Sequence, residues 1–531
     1  MKRTKRLLSL LLCVFLIVGT LCACRNNTDD SGGTTGGTQT SSNEAVQAVL
    51  SQSVAEPDLT NAAKITLSDT NINISGSGAE EKDGTVTITE GGVYVFSGTL
   101  SNGRIVVNAP DKEVTIVLNG ADITCSSSSP LYIYKSSCAT VYLINGSENR
   151  LADGGSYVYS DSYSSSEDEE PNACLYSKSD LIIAGAGSLT VNAGFNNGIT
   201  GKDTLRIDSA TITVKAVNHG INGKDYLTLK SAKVSVTSGG DALRSTNDSD
   251  GTLGYITSVN SDLTLTAGED GIQAQTVLTA SGGNINIKSG GGSGAKLSGD
   301  TSAKGIKAGT SLVLLDGTFT LDCCDDAVHS NGSVAISGGE TYISGTTSGG
   351  DSALDYDGTA AITGGIFIAA GSSGMAQNFG DSSTQGSIML TYQAFSSGKI
   401  SVADADGNVL AQYTPSKNYS CVVISCPGLT KGSTYSVTAC GQSQSVTLES
   451  IIYGSGSTQP GQGGQPGQGG GQNGQQPGST PPDGDPGQQG GDGKASGSRP
   501  TPPDGDPRRN NSTQSGQKSS SQSANQNSKT A

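Results

Sequence analysis

Apolar residues recur through the middle of the chain with a period of 22 residues. After Ile199, apolar side chains stand at offsets of 6, 8, 13 and 15 residues, and the same offsets hold after Ile221. The register continues, with insertions and one shortened unit, from five further residues: Leu243, Ile272, Ile306, Val328 and Leu354. We call these seven positions the marker residues. Apolar pairs at i and i+2, separated by Gly, Asn, Asp or Ser, are typical of short strands with one buried face.

A unit of this length with three short strands cannot bury its apolar face alone, but stacked units can. We therefore predict an all-β fold: a right-handed parallel β-helix (solenoid) over residues 61–385, with about fourteen coils around an interior of Ile, Leu and Val. A β-sandwich or propeller would not require a constant spacing. Residues 386–453 lose the register but keep strand character, which predicts a small β cap over the open end.

The two ends of the chain differ in composition from this middle part. Residues 1–24 are predicted to be a lipoprotein signal peptide, because a basic start and an apolar run precede Leu21-Cys22-Ala23-Cys24, which resembles a bacterial lipobox. Cleavage by an ordinary signal peptidase is the alternative. Residues 25–60 are predicted to form a flexible stalk, and the Gly-, Gln- and Pro-rich residues 454–531 a disordered tail. We expect a protein on the extracellular face of the cell membrane, lipid-anchored through Cys24.

The charge balance of the chain limits which classes of binding partner are plausible. The chain has 48 acidic and 32 basic side chains, two His and no Trp. An acidic chain is a poor partner for nucleic acid, whose backbone requires clustered Lys and Arg. With two His, a His-ligated zinc centre is also improbable. The composition favours divalent cations, or partners that are bound through them.

Acidic residues cluster immediately before the marker residues. In stacked coils, the positions two and three residues before each marker form columns whose neighbours are one strand spacing apart. Two groups of carboxylates should then crowd together: Asp241, Glu269 and Asp270 in the first, and Asp325, Asp326 and Asp351 in the second, with Asp355 nearby. A separate column holds Asp203 and Asp225, each in Gly-Lys-Asp.

Crowded carboxylates need compensation, since two of them about 5 Å apart repel by about 1 kcal/mol even in water. Lys304, which lies between the two groups in the column, could supply part of it. Calcium could supply the rest, because it takes six to eight oxygen ligands from carboxylates, amides and carbonyls. These nine acidic residues are therefore predicted as calcium ligands. The structural alternative is that Asn and Asp simply favour tight turns.

Several stretches resemble a known family. They include GTVTITEGGVYVFSG at 84–98, VTIVLNGADIT at 114–124, NNGITGKDTLRI at 196–207, NHGINGKDYLTL at 218–229 and DDAVHSNGSVAISGG at 325–339. The chain is similar to the carbohydrate-binding β-helix lipoproteins of clostridia and related anaerobes. That resemblance implies binding of cellulose or pectic polysaccharide and the presence of calcium. His219, Lys304 and Ser352 stand where the family pattern commonly has paired acids.

Three functions are compatible with these observations. The first is a monomeric, cell-surface protein that binds polysaccharide (acidic and pectin-like, or cellulose) without catalysis, with calcium on the β-helix. The second is a calcium-dependent polysaccharide lyase, for which Lys224, Arg244 and Lys304 are candidate bases by column position. The third is an adhesin or wall-structural protein in which calcium is purely structural.

Overall fold

The computed structural model describes residues 35–292 and 301–454. One helix, α1 (Thr35–Ser51), precedes the strands. The first strands are β1 (Ala63–Leu67), β2 (Asn73–Ser75), β3 (Ala79–Lys82), β4 (Thr85–Ile88), β5 (Gly92–Leu100), β6 (Arg104–Asn108), β7 (Glu113–Cys125), β8 (Leu131–Lys135), β9 (Cys138–Leu143) and β10 (Glu148–Asp153).

The central strands are β11 (Ala173–Ser177), β12 (Asp180–Ala184), β13 (Ser188–Ala193), β14 (Asn197–Gly201), β15 (Thr204–Asp208), β16 (Thr211–Ala216), β17 (Ile221–Gly223), β18 (Tyr226–Lys230), β19 (Lys233–Ser238), β20 (Leu243–Ser245), β21 (Tyr255–Val259), β22 (Asp262–Ala267), β23 (Ile272–Ala274), β24 (Val277–Ser289), β25 (Ile306–Ala308), β26 (Ser311–Cys323), β27 (Val328–Ser330), β28 (Ser333–Ile336), β29 (Glu340–Ser344), β30 (Leu354–Tyr356), β31 (Ala360–Ile362) and β32 (Ile366–Gly371). The last strands are β33 (Ser387–Ser396), β34 (Ile400–Ala403), β35 (Val409–Tyr413), β36 (Tyr419–Ser425), β37 (Thr434–Ala439), β38 (Gln442–Thr447) and β39 (Ile452–Tyr453).

These strands form a parallel β-solenoid with three walls. The first wall is a 12-stranded sheet of short strands, in the order β3-β4-β6-β8-β11-β14-β17-β20-β23-β25-β27-β30. The second and third walls belong to one 23-stranded sheet, because the long strands β7, β24 and β26 run through both. The third wall includes β10, β13, β16, β19 and β22, each paired in parallel with the next.

The predicted register is confirmed. Ile199 pairs with Ile221, Ile221 with Leu243, and the remaining markers continue the ladder to Leu354. All seven marker side chains are at most 2% exposed. They lie in one core that runs through the solenoid and also contains Phe96, Phe319 and Phe367.

The number of coils is smaller than predicted. Apart from the antiparallel β3, the first wall has eleven parallel strands, which correspond to a stack of about 48 Å at about 4.8 Å per coil. The estimate of about fourteen was wrong because it divided the segment by a constant repeat. Several coils carry loops, such as the one between β10 and β11, and the strands at both ends pair differently.

Part of the predicted flexible stalk, Thr35–Ser51, forms the helix α1. In α1, Val46 and Val49 are buried against Val259 and contact Leu315 on the solenoid. Residues three apart lie on the same side of a helix, so a short apolar pair is enough to dock it.

No helix in the described part of the chain is long and apolar enough to cross a membrane. The predicted signal peptide, the lipidation site Cys24 and the predicted tail from 455 onward lie outside the described residues.

The predicted β cap is present after the last coil. Strands β33 and β36 extend the large sheet, and β36 pairs antiparallel with β32, which ends the parallel stacking. A separate four-stranded antiparallel sheet follows in the order β35-β34-β37-β38. A second apolar core fills the cap and includes Cys426 and Cys440, whereas Cys421 belongs to the core of the solenoid, and all three thiols are free.

Candidate functional site

The acidic residues before the markers form the predicted column on the edge of the first wall. We call it the inner column: Asn197, His219, Asp241, Asp270, Lys304, Asp326 and Ser352. Five of its side chains, those of Asn197, His219, Asp241, Asp270 and Asp326, accept hydrogen bonds from the backbone of the next coil. The Oδ1 atom of Asp241 accepts from the N–H of Asp270 at 3.0 Å, and Oδ1 of Asp270 accepts from the N–H of Lys304 at 2.7 Å. The Oδ1 atom of Asp326 similarly accepts from Ser352 at 2.7 Å.

Two consequences follow from this ladder. The predicted closeness of Asp241 and Asp270 is confirmed, although 29 residues separate them in sequence. The structural alternative, in which these residues hold turns, accounts for one oxygen of each carboxylate. The second oxygen of each carboxylate remains for another partner.

Basic side chains of the protein contact those second oxygens. Arg244 Nη1 lies 3.4 Å from Oδ2 of Asp241, and Lys307 Nζ lies 3.3 Å from Oδ2 of Asp270. Lys304 Nζ lies 3.0 Å from Oδ1 of Asp325 and also contacts Asp326. Much of the repulsion that the sequence predicted is therefore compensated by the chain itself.

Most of these cations come from a second column that the sequence analysis did not recognise. We call it the outer column: Thr200, Asn222, Arg244, Gln273, Lys307, His329 and Asp355, each directly after a marker. These residues pair in register along the first wall. The signal was present, because a residue that follows a buried strand position faces outward. The charged residues of this wall therefore form two neighbouring columns, not one.

The first acidic cluster contains His219, Asp241 and Glu269, whose ligand atoms lie within 4.8 Å of one another. Burial, and then Asp270, raise the pKa of Asp241 to about 7, and the same two causes raise the pKa of Glu269. Burial and Arg244 lower the pKa of His219 to about 3, so this imidazole is neutral. The guanidinium of Arg244 lies 2.7 Å from Nε2 of His219. A neutral imidazole and a guanidinium do not fit calcium, which prefers oxygen ligands.

A second cluster joins Asp326, His329 and Asp355. His329 Nδ1 lies 2.7 Å from Oδ2 of Asp355 and 3.2 Å from Oδ2 of Asp326. Burial alone would lower the pKa of His329, but hydrogen bonds to these carboxylates raise it to about 9. The imidazolium is therefore the cation of this cluster, which leaves little need for a metal ion.

The third cluster, Asp325, Asp326 and Asp351, has the donor chemistry that calcium requires. It offers three carboxylate oxygens within 4.8 Å of one another. Burial, followed by the charges of Asp325 and Asp326, raises the pKa of Asp351. Lys304 contacts Asp325 and Asp326, and His329 contacts Asp326, whereas no basic side chain of the described residues lies within ion-pair distance of Asp351. The three carboxylates therefore fit a hard cation with oxygen ligands.

The remaining predicted ligands, Asp203 and Asp225, lie in adjacent coils, and the N–H of Asp225 donates to the carbonyl of Asp203 at 3.0 Å. The Asp225 carboxylate accepts a hydrogen bond from Asn247 at 2.7 Å. Among the residues that the structure describes, neither belongs to a group of three possible metal ligands. Their role as calcium ligands stays a prediction.

Two of the three candidate lyase bases, Lys304 and Arg244, are poorly suited to proton abstraction. A general base must lose its proton near neutral pH. Burial alone would lower the pKa of Lys304, but the carboxylates of Asp326 and Asp325 raise it well above its usual value. The guanidinium of Arg244 contacts His219 and Asp241. Lys224 is half-buried beside the Asp203–Asp225 pair.

Solenoids built from stacked repeats present extended surfaces, and one wall of this solenoid is densely charged. Residues 82–352 match the family model described as carbohydrate-binding domain-containing protein. This match covers more than half of the chain, and the chain belongs to that carbohydrate-binding domain family.

Two known proteins show the extent of the similarity. A carbohydrate-binding domain-containing protein from Acetivibrio thermocellus is 41% identical over 145 residues, which are 27% of this chain and 49% of the relative. The chain thus matches about half the length of that relative. A solved structure, the gadolinium derivative of the polysaccharide lyase-like protein from C. thermocellum, is 33% identical, with a TM-score of 0.41, and the match covers 43% of this chain and 92% of that one.

Proposed function

We propose that this protein binds polysaccharide without cleaving it. The observation that carries the proposal is the family match over residues 82–352, which includes the whole inner column and every residue of the outer column except Asp355. An extended ligand suits such a surface, because each coil repeats similar polar positions about 4.8 Å from the last. The absence of Trp from the sequence argues against a broad aromatic platform for crystalline cellulose.

We further propose that the polysaccharide is acidic and pectin-like, and that calcium takes part in binding it. Asp325, Asp326 and Asp351 would hold the ion, since their oxygens form the cluster with the best donor set. A calcium ion bound there would supply positive charge that uronate carboxylates can coordinate. Lys304 would hold Asp325 and Asp326 in place through its ion pairs with both.

The other predicted ligands are weaker candidates for calcium in this proposal, because basic side chains of the protein already compensate several of their carboxylates. Asp241 is paired with Arg244 and Asp270 with Lys307, and the charges of both basic side chains also act on Glu269. Asp355 is paired with the His329 imidazolium. We therefore place calcium first at the third cluster and treat the remaining residues as secondary candidates.

The cellular location belongs to the same proposal. The lipobox-like Leu21-Cys22-Ala23-Cys24 supports export and acylation of Cys24, which would anchor the protein on the extracellular face of the membrane. Expression of Cys24→Ser in a bacterial host tests this. The variant should appear in the medium or remain unprocessed, while equal membrane retention of both forms would contradict anchoring.

A glycan array tests binding most broadly. The protein is applied with calcium or with excess chelator, and the array includes polygalacturonate, its methyl ester and neutral glucans. We expect uronate polymers to be retained, more strongly with calcium. No hits on any glycan would contradict the proposal and favour the adhesin alternative. Formation of unsaturated products that absorb in the ultraviolet would contradict the non-catalytic part.

A further inference from the structure

A cleft on the third wall lies apart from the acidic clusters of the first wall. Its volume is about 590 Å³, and its polar lining comes from Arg150, Asn192 and Lys215. These side chains belong to three successive strands, β10, β13 and β16. Asn192 pairs in register with Ala152 on one side and Lys215 on the other, so the cleft spans three stacked coils.

The acidic residue of the cleft is engaged within the protein. Asp153 accepts hydrogen bonds from the backbone N–H groups of Gly194 and Phe195 through Oδ1. Its Oδ2 atom accepts from the Tyr157 hydroxyl at 2.7 Å. Both carboxylate oxygens of Asp153 are therefore hydrogen-bonded within the protein, and they stabilise the wall of the cleft.

The basic residues have donors to spare. Arg150 contacts Asp122 at 2.9 Å and Thr124 at 3.1 Å, in both cases through Nη1. Lys215 is exposed, and no carboxylate among the described residues lies within ion-pair distance of it. In a chain of formal net charge −16, the lining of this cleft carries two basic side chains, Arg150 and Lys215, and one carboxylate, Asp153.

An apolar border completes the cleft. Ala216 lines it, and the neighbouring Val217 is 60% exposed. Beside Asp153, the Phe195 ring stacks on Tyr157 with centroids 4.2 Å apart and an interplanar angle of 18°. Concave sites with apolar walls and a few converging polar groups are typical of ligand-binding sites.

We propose that this cleft binds a uronate residue of an acidic polysaccharide directly, without a metal ion. Arg150 and Lys215 donate charge-assisted hydrogen bonds to the sugar carboxylate, and the Asn192 amide bonds to a hydroxyl group. Ala216 and Val217 face the apolar side of the sugar ring. The inference rests on the proposed polysaccharide binding and adds a second, chelator-resistant contact to it.

Calorimetric titration of the full chain with a galacturonate oligosaccharide in excess chelator tests the proposal. Lys215→Gln and Arg150→Gln should each weaken binding about tenfold, the loss expected for one charge-assisted hydrogen bond. Lys233→Gln is the matched control, because Lys233 is exposed in the adjacent strand β19 but does not line the cleft. The methyl-esterified oligosaccharide, which lacks the charge, should bind no better to the native protein than to Lys215→Gln.

The outcomes separate the two proposals. Unchanged affinity in Lys215→Gln, equal binding of the methyl ester, or binding of uronate only with calcium would overturn the cleft proposal while polysaccharide binding stands. Failure of the native protein to bind any polysaccharide, with or without calcium, would overturn both. Circular dichroism of each variant confirms that the fold is retained.

Discussion

Lys304 provides the sharpest test of how the acidic column is stabilised. Its ammonium group lies 3.0 Å from Asp325 and also contacts Asp326. The Lys304 side chain is 14% exposed, and those of the two aspartates are 8% exposed. Lys304→Met keeps a similar apolar stem but removes the charge. Asp325 then loses its ion-pair partner and Asp326 keeps only His329, with the Asp351 carboxylate close to both.

The expected loss follows from this burial. Removal of one partner from a buried ion pair costs about 3–5 kcal/mol, because the remaining charge is left uncompensated. We therefore expect Lys304→Met to lose about this amount of unfolding free energy in chelator. If Asp325, Asp326 and Asp351 accept calcium, the ion at 100 times its dissociation constant should restore about 2.7 kcal/mol.

Urea denaturation with and without calcium measures both effects, and hydrogen exchange locates them. Because the stability of stacked repeats is approximately a sum of neighbouring terms, lost protection should concentrate in the coils of Ile306, Val328 and Leu354. Lys233→Met, an exposed lysine on another wall, should stay within about 0.5 kcal/mol of the native protein. Native-like stability of Lys304→Met in chelator would refute the reasoning.

Three further predictions concern other parts of the molecule. Hydrogen bonds from Lys178 and Lys202 overcome the effect of burial and lower the pKa of Glu170 from 4.5 to about 2, so its stabilisation is present above pH 4.5 and is lost as the pH falls towards 2. Glu170→Gln should remove about 1–2 kcal/mol of that acid-dependent stability in urea melts at stepped pH, and an unchanged profile would contradict this. Phe319→Ala, at a side chain with no exposed surface, should cost about 3–5 kcal/mol in the same assay, and a loss below 1 kcal/mol would show that the core collapses around the cavity. Val49→Asp should release α1 to limited proteolysis without shifting the unfolding of the coils, whereas continued protection would mean that this residue does not hold the helix.

The solenoid was predictable because each coil repeats the same physical requirement. The seven marker residues need an apolar side chain in every coil, so their spacing is visible in one sequence. The number of coils was not predictable from a constant repeat, since loop length is not restricted in the same way. The docking of α1 was missed because two valines in a polar segment barely change its composition.

The candidate site was predictable only in part. Column positions placed Asp241 beside Asp270 and Lys304 beside Asp326, as the structure shows. Sequence spacing could not assign the direction of each carboxylate oxygen, which depends on the neighbouring coil. Residues of the third-wall cleft escaped notice because Arg150, Asn192 and Lys215 share no motif and meet only after stacking.

Affinity electrophoresis in gels that contain polygalacturonate tests the central claim most directly. The full chain should migrate more slowly as the polymer concentration rises, with the polymer left intact, and a neutral glucan should retard it less. Unchanged mobility in every polysaccharide gel, or clearing of the polymer behind the protein band, would contradict non-catalytic polysaccharide binding.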